Sequence, residues 1–368
     1  MKNTSLFLLF NALFLFFSGT VYAGCSFKDE PGYLSSTKSF TMAISGTISV
    51  PADIPVGSEI YRRKIEFADQ GVIYVVCTEK FPFQTRYQYL TTPLAATTFS
   101  DKVYETGVPG IGVKFVRNNS LEDFPTVIEE TNCESYLGCV YRSGWSASSR
   151  LVLVKTAANV TPGIVEGSKL PSVVYSFGQS GSMLDIYKVN VEGSVQVTSP
   201  TCDISPASQS MTVPMGQYNI NVFTGKGATT AWKNASIKLN NCGQFYGDTP
   251  SGFFNGIFDG NSTITVEAGF KNNTLSITVT PLNGVEDAAN GIMRIDSGAA
   301  QASGVGIQLS TREGTDGILD LTSALIHTLP KDGAQSITVP LFARYIQTAD
   351  SVKAGKANGR LEYVITYN

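Results

Sequence analysis

Short segments in which apolar and polar residues alternate recur along the chain after residue 23. The clearest one closes the sequence, where Leu361, Tyr363, Ile365 and Tyr367 occupy alternate positions and only Val364 interrupts the polar residues between them. A period of two places successive side chains on opposite faces of a β-strand, so this strand is predicted to have one buried face and one wet face. Because no further strand follows it, its outer backbone edge is predicted to need cover.

The same pattern predicts an all-β protein. Turn residues separate the segments, and no window of a dozen residues after residue 23 has a convincing helical period. Thirty-five glycines and only 15% charged residues suit this class. Antiparallel sandwiches are the expected packing for so many short strands. Before the closing strand, strands are predicted at residues 39–50, 64–78, 87–91, 110–117, 150–155, 171–177, 184–197, 209–214, 218–223, 235–239, 262–270, 274–280, 304–310, 318–322 and 336–347.

Two domains are predicted after a signal peptide. A chain of 368 residues can form two independent cores, and the short polar segment 197–201, which contains Pro200, is typical of a linker. Residues 24–198 would form the first domain and residues 199–368 the second. Residues 1–23 are predicted to be the signal peptide, because Lys2 precedes an apolar run that ends in the small-residue pattern Val21-Tyr22-Ala23.

The C-terminal segment resembles the ends of chaperone–usher pilus subunits. Tyr367 is a penultimate aromatic residue, alternating apolar residues precede it, and Gly355 is the fourteenth residue from the end. The segments LFARYIQT (341–348) and GVGIQLS (304–310) also look like pilin strands. The resemblance implies that residues 199–368 form an immunoglobulin-like sandwich that lacks its last strand.

The same resemblance implies how the second domain is completed. A periplasmic chaperone would first add a strand and grip the carboxylate of Asn368, and the adjacent pilus subunit would then replace it with its own strand. An outer-membrane usher would be a further partner. The edge that receives the strand would comprise Gly355, Leu361, Tyr363, Ile365, Tyr367 and Asn368.

The layout also implies a position in the fibre. Rod subunits of this family carry a free donor segment ahead of the sandwich, whereas here residues 24–198 are predicted to fold as a domain. Such a chain would accept a strand and donate none, as the two-domain tip adhesins of type 1 fimbriae do. It is expected to pass through the periplasm and to lie outside the cell, at the tip of a fimbria.

Six cysteines follow the signal segment, and an even number after an export signal predicts disulfides. Cys202 and Cys242 resemble the pair that joins the first two strands of pilin domains, and such a bridge could contribute roughly 3–4 kcal/mol. The other four allow three pairings, of which Cys25–Cys77 and Cys133–Cys139 are favoured. The order Tyr22-Ala23-Gly24-Cys25 also permits a lipoprotein signal, which would consume Cys25, but Tyr22 stands where such signals prefer an aliphatic residue.

Several function classes are disfavoured by composition. The net charge of −3 with no basic patch argues against nucleic acid as a partner. His327 is the only histidine and there is no C-x-x-C pair, so neither a zinc site nor a catalytic triad is expected, and no cofactor is predicted. The neighbouring carboxylates Glu129 and Glu130 would point to opposite faces of a strand, which disfavours a glycosidase.

A glycan receptor is predicted for the first domain, because pyranoses are bound by an aromatic platform with a few convergent polar groups. Two loops offer that mixture, and mannose itself is not predicted, because neither Gly24 nor Thr78-Glu79 matches the sugar-binding residues of the type 1 adhesin. The function expected is a lectin-like fimbrial tip adhesin; the alternative is a structural tip or adaptor subunit that contacts a protein receptor. The candidate ligand-binding residues are Glu79, Lys80 and Phe81 with Gln84 and Arg86 in one loop region, and Glu134, Tyr136, Arg142 and Trp145 in the other.

Overall fold

The structure of the chain is a computed structural model. It describes residues 24–31, 33–65, 67, 72–77, 82–117, 121–130, 139–142, 149–248, 257–258, 263–264 and 270–368. No helix among them is long and apolar enough to cross a membrane.

Fifteen strands are described up to residue 198, and one 3-10 turn lies at Gly167–Lys169. The strands are β1 (Cys25–Phe27), β2 (Tyr33–Leu34), β3 (Lys38–Ile44), β4 (Thr47–Ser49), β5 (Glu59–Ile65), β6 (Val72–Cys77), β7 (Phe83–Thr91), β8 (Tyr104–Glu105), β9 (Ile111–Arg117), β10 (Thr126–Glu130), β11 (Cys139–Arg142), β12 (Ser149–Lys155), β13 (Gly163–Glu166), β14 (Ser172–Gln179) and β15 (Ser182–Thr198).

The remainder of the described chain adds thirteen strands, a one-turn helix α1 (Pro206–Gln209) and a 3-10 turn at Ile220–Val222. The strands are β16 (Asp203–Ile204), β17 (Lys233–Asn234), β18 (Ile237–Asn240), β19 (Ile257–Phe258), β20 (Thr263–Ile264), β21 (Thr274–Pro281), β22 (Val285–Asp287), β23 (Ile292–Arg294), β24 (Val305–Ser310), β25 (Leu325–Thr328), β26 (Ile337–Val339), β27 (Phe342–Gln347) and β28 (Leu361–Tyr367).

Three sheets surround the core of the first domain. The largest has the order β10-β7-β14-β15-β13, with β3 and β4 also paired to β15. A second sheet, β8-β9-β12-β5, is extended by β19 and β20 from the second half of the chain, and a third joins β1, β2 and β11 to β6. The core they surround includes the stacked Phe67 and Tyr187 and the fully buried Tyr175. Burial alternates along β3 and β7, whereas β14 is buried along its whole length.

Three smaller sheets form the second domain: β16-β18-β26, β17-β27-β24-β23-β22 and β25-β21-β28. The buried residues of their core lie between Cys202 and Tyr345 in the sequence, whereas the last buried residue of the first core is Val197. All described pairings in these three sheets are antiparallel. The described residues therefore form an almost entirely β structure with two large cores, and the domain boundary at residues 198/199 stays a prediction.

Parallel pairing occurs in the first domain, which the sandwich prediction did not anticipate. Strand β15 runs parallel to β3 and then to β4. The predicted strand 39–50 is interrupted at Gly46, which has φ +113°. Opposite the interruption, Gly193 has φ +75°, and a Cβ there would lie 2.3 Å from Ile44 O. Glycine is thus required where β15 leaves one partner strand and takes the next.

Three predicted strands of the second half are not strands in the structure. Residues 318–322 form a turn with one bridge from Ile318 to Ser310. Residues 218–223 include a 3-10 turn, because Asn219 accepts a hydrogen bond from the Asn221 N–H and so competes with extended backbone. Gln209 ends α1, and residues 211–214 have no assigned secondary structure and no described backbone pairing.

Two disulfide bonds are described, and both have the pairing favoured from the sequence. Cys25 is bonded to Cys77 and Cys202 to Cys242. The first joins β1 to β6 at the position where the two residues are directly opposite. Cys133 lies outside the described residues, so the Cys133–Cys139 pairing stays a prediction.

Candidate functional site

Strand β28 has one paired edge and one open edge. Asn368 exchanges two backbone hydrogen bonds with Thr274, at 2.7 and 2.8 Å, and the Leu282 N–H donates to Arg360 O at 2.9 Å. The even-numbered residues of β28 therefore direct their backbone groups at β21. The odd-numbered residues direct theirs the other way, and no described strand lies on that side.

The side chains of the odd-numbered residues turn inward. Leu361, Tyr363, Ile365 and Tyr367 are half-buried against the core of the second domain. Val364 between them is 63% exposed. The open edge thus borders an apolar surface that is only partly covered, which is what an added strand would bury.

The two tyrosines of β28 span the space beside this open edge. The Tyr363 hydroxyl donates to Ser208 O, and the Tyr367 hydroxyl donates to Cys202 O at 3.2 Å and accepts from the Cys202 N–H. Burial raises the pKa of both phenols, so they remain protonated donors at neutral pH. These bonds place the segment from Cys202 to Ser208 opposite β28.

The chain after Ser208 packs on the same core as β28. The space between this chain and the open edge of β28 is called the groove. Met211, Val213 and Met215 are half-buried against the same core and alternate with exposed residues, as in a strand. Within the described part of the chain, no backbone hydrogen bond involves residues 210–218. The alternation therefore predicted the buried face correctly, but the described backbone of this segment forms no ladder.

Two of the predicted edge residues lie just outside β28. Asn368 continues the ladder through Thr274. Gly355 belongs to the loop before β28 and packs against a different segment: a Cβ there would lie 2.4 Å from both Ala302 N and Gln301 C. A close approach of two backbones therefore requires glycine at position 355, and the role of Gly355 at the strand-accepting edge stays a prediction.

Replacing Gly355 with alanine is expected to destabilise the second domain by about 3 kcal/mol, because the added methyl overlaps backbone that cannot rotate away. Thermal or denaturant unfolding of residues 24–368, the mature chain expected after removal of the predicted signal peptide, measures the change. Gly225→Ala is the matched control, since a Cβ there meets nothing within 4 Å. Equal stability of the two variants would contradict the close-approach explanation.

In the first domain, Arg86 and Gln84 are the predicted ligand-binding residues whose side-chain contacts are described. Arg86 makes the larger number of them. Its Nη2 donates to Gln84 Oε1 at 3.0 Å and to Ser180 Oγ at 3.5 Å. Gln84 lies opposite the exposed Glu129 of β10, and Ser180 lies in the turn between β14 and β15. These residues form a polar cluster on the surface of the largest sheet.

The cluster marks one end of the domain. Phe83, the first residue of β7, pairs with Glu130 at the end of β10 and with Gln179 at the end of β14. Strand β15 begins at this end, and its other end pairs with β4, whose Ser49 is bonded to Gly247 of the second domain. The cluster therefore lies at the opposite end of β15 from this contact. Glu79, Lys80, Phe81, Glu134 and Tyr136 lie outside the described residues, and the strands that flank their two segments end here.

The sheet topology separates the two strands that flank Trp145 in the second predicted loop region. Arg142, of which only the backbone is described, pairs with Val72 at the far end of β6 from Cys77. Trp145 lies outside the described residues, and the strand after it begins at Ser149, opposite Ile65 and Arg117. The described strands therefore do not bring the flanks of Trp145 to the end that carries Arg86.

A surface cavity that the sequence pattern did not reveal lies at the other end of β7. It has a volume of about 360 Å³ and is lined by Gln88, Tyr89, Leu90, Thr91, Thr92, Tyr104 and Pro125. The Tyr89 and Tyr104 rings meet edge to face with centroids 4.8 Å apart. Burial raises the pKa of Tyr89, whose hydroxyl accepts the Phe115 N–H at 3.2 Å. Tyr104 is outside every predicted strand, so alternation could not identify this pair.

Comparisons with known proteins agree with this division of the chain. A family profile described as fimbrial protein matches residues 189–368, and one described as MrkD-like receptor binding domain matches residues 41–187. A fimbria adhesin protein of Klebsiella pneumoniae is 25% identical over 371 residues and is aligned over 100% of both chains. A fimbrial subunit type 1 of Salmonella typhimurium is 30% identical over 189 residues, covering 49% of this chain and 81% of the relative.

Among solved structures, the receptor binding domain of the plasmid-born adhesin MrkD1P of Klebsiella pneumoniae is similar. It is 24% identical, covers 50% of this chain and 99% of that chain, and has a TM-score of 0.34.

Two all-β domains, of which the first matches a receptor-binding family and the second a fimbrial one, define a fimbrial adhesin. The chain belongs to the fimbrial protein family and carries an MrkD-like receptor-binding domain. Its relatives are adhesins and pilus components of the cell surface, a class that is not enzymatic.

Proposed function

We propose that this protein is a fimbrial tip adhesin that binds a glycan through its first domain and is joined to the fibre by a strand added to its second domain. The observation that carries the proposal is the open edge of β28, whose inward side chains are only half-buried. An extended segment with alternating apolar residues fits this edge, because its backbone groups and its side chains would both find partners.

The expected strand donors follow from the cell biology of the family. A periplasmic chaperone would occupy the groove first, an outer-membrane usher would receive the complex, and the adjacent pilus subunit would then supply the permanent strand. Met211, Val213 and Met215 on one side and β28 on the other would pack against the inserted side chains. The first domain precedes the groove, where rod subunits have a donor segment, which supports a position at the fibre tip.

The receptor site is proposed at the end of the first domain remote from the second. A fibre attached through β28 leaves that end free to meet another cell or surface. Arg86, Gln84 and Ser180 offer donors and acceptors for sugar hydroxyls, and Phe81 would supply the aromatic platform. The Tyr89–Tyr104 cavity is the other candidate position for a saccharide, because it joins aromatic rings to an amide and hydroxyls.

A glycan array tests the receptor class. The mature chain, isolated with the strand-donating partner that it carries, is expected to bind a defined glycan, and Arg86→Ala is expected to weaken that binding at least tenfold. Arg294→Ala is the matched control, since Arg294 is an exposed arginine of the second domain. Phe81→Ala and Trp145→Ala test the two loop regions, and Gln88→Ala tests the cavity.

The outcomes separate the alternatives. Binding that is lost with Gln88→Ala and retained with Arg86→Ala would move the site to the cavity. Glycan binding that survives all four substitutions would show that the protein is a lectin, but that its site lies neither at the Arg86 cluster nor in the Tyr89–Tyr104 cavity. A silent array with folded protein would reject the glycan receptor and favour a structural tip or adaptor subunit that contacts a protein.

A further inference from the structure

A side chain of the first domain occupies one position on the open edge of β28. The Tyr367 N–H donates to Asp53 Oδ2 at 2.9 Å, across 314 residues of sequence. Tyr367 is odd-numbered, so its N–H points away from β21, whereas the next residue, Asn368, pairs with Thr274. Asp53 therefore takes a hydrogen bond that an added strand would otherwise take.

Asp53 is presented by a tightly held turn. The Ile54 N–H donates to Pro51 O at 3.3 Å, which places Asp53 at the third position of a four-residue turn. The ammonium of Lys155, a side chain with no exposed surface, donates to Pro51 O, Ala52 O and Ile54 O. All three of its donors are used on this one turn, so the backbone that carries Asp53 is fixed from inside the first domain.

The same segment is bonded to the second domain just beside the ladder. The Ser49 N–H donates to Gly247 O at 2.7 Å, and its hydroxyl accepts the Tyr246 N–H. The buried Asn273, which precedes β21, donates to Ser49 O and accepts the Gly247 N–H. Residues 49–53 thus contact the second domain at the point where β21 begins and β28 ends.

We infer that Asp53 is a positioning residue that caps the C-terminal end of the strand-accepting edge, so that an added strand pairs with Leu361, Tyr363 and Ile365 and ends before Tyr367. The inference rests on the proposed addition of a strand to β28. Its physical basis is that one N–H cannot serve Asp53 and an incoming carbonyl with full strength, and a carboxylate is the stronger acceptor. The first domain would thereby set the register of the strand that joins the protein to its fibre.

Amide hydrogen exchange at single residues tests the cap in the mature chain. With Asp53→Ala, the Tyr367 amide is expected to exchange about tenfold faster or more, because it loses a charge-assisted hydrogen bond. Asp53→Asn keeps an oxygen acceptor and is expected to restore most of the protection. Asp101→Ala, which removes an exposed carboxylate elsewhere in the first domain, is the matched control.

A purely structural role would give a different pattern. If Asp53 only held the domains together, the Ser49 and Gly247 amides at the same junction would also exchange faster in Asp53→Ala. The proposal requires that these two amides keep their wild-type rates while Tyr367 changes. Faster exchange at all three amides, or no change at Tyr367, would overturn it.

The register is tested on the complex isolated from the periplasm, with the strand-donating partner still bound. The amides of Tyr363 and Ile365 are expected to be protected from exchange in both the wild type and Asp53→Ala. The Tyr367 amide is expected to lose its protection in Asp53→Ala. Protection of Tyr367 that survives Asp53→Ala would show that the added strand reaches this position, which would overturn the cap. Free exchange at Tyr363 and Ile365 in wild-type complex would instead reject strand addition itself, and the exchange in the isolated chain would still report on Asp53.

Discussion

Deletion of residues 363–368 is expected to unfold the second domain and to abolish recovery of the protein with a chaperone. The deletion removes most of the ladder with β21 and uncovers Leu275, Ile277 and Val279, which are now at most 7% exposed. A fully buried apolar side chain contributes about 1.5–3 kcal/mol, and a domain is stable by only about 5–15 kcal/mol. Periplasmic yield, copurification of the chaperone and calorimetric unfolding measure the effect.

The first domain should survive this deletion, because its core is formed by residues that precede Cys202 together with Phe270 at its border. One unfolding transition is therefore expected to remain. Val364→Thr is the matched control, since its side chain is mostly exposed and the change keeps the branched Cβ. A truncated chain that still unfolds in two transitions and still binds the chaperone would show that β28 is not the accepting edge.

Lys155→Met is expected to cost about 3 kcal/mol, because three carbonyls lose their donor while the side chain keeps its approximate length. Burial lowers the pKa of Lys155, and the charge of Asp53 opposes this shift only in part. Its three neighbours at the turn 51–54 are carbonyl oxygens, which only accept hydrogen bonds, so Nζ is the donor that holds the turn. Denaturant unfolding of the mature chain measures the loss, and the Tyr367 amide is expected to lose protection in parallel because Asp53 is no longer positioned.

Lys102→Met is the control for the lysine substitution, since Lys102 is exposed and its loss should change stability by less than about 0.5 kcal/mol. Unchanged stability in Lys155→Met would mean that water replaces the ammonium at the three carbonyls. If Lys155→Met lowers the stability but leaves the exchange of the Tyr367 amide unchanged, then Lys155 does not position Asp53, and Asp53 forms the cap without it.

Alternation in the sequence predicted the parts of the fold that depend on local burial. It placed Leu361, Tyr363, Ile365 and Tyr367 on one face of β28, and the structure has them half-buried on one core. It also assigned Met211 and Val213 to a strand, where the side chains obey the pattern and the backbone does not pair. Periodicity reports which side chains are buried, but hydrogen-bonding partners depend on what lies beside the segment.

The candidate receptor site could be predicted less well than the accepting edge. Arg86 and Gln84 were identified because aromatic and polar residues are close in sequence, and the structure places them in one cluster with Ser180. Trp145 was grouped with Glu134 on sequence proximity. The strand between them, β11, pairs with β6, whereas the strand after Trp145, β12, pairs with β5 and β9. The cavity at Tyr89 and Tyr104 combines residues from two strands, so no local motif marks it.

The sequence by itself determined that the chain is all-β, that it has two modules, and that it ends on a strand with one apolar face. The all-β class and the apolar face follow from composition and from a period of two, and the two modules follow from the chain length and the linker-like segment 197–201. Only the tertiary structure decided that Asp53 meets Tyr367, that Lys155 holds the turn that carries Asp53, and that β15 takes parallel partners. Each of these depends on groups that are distant in sequence and are brought within hydrogen-bonding distance only by the packing of complete sheets.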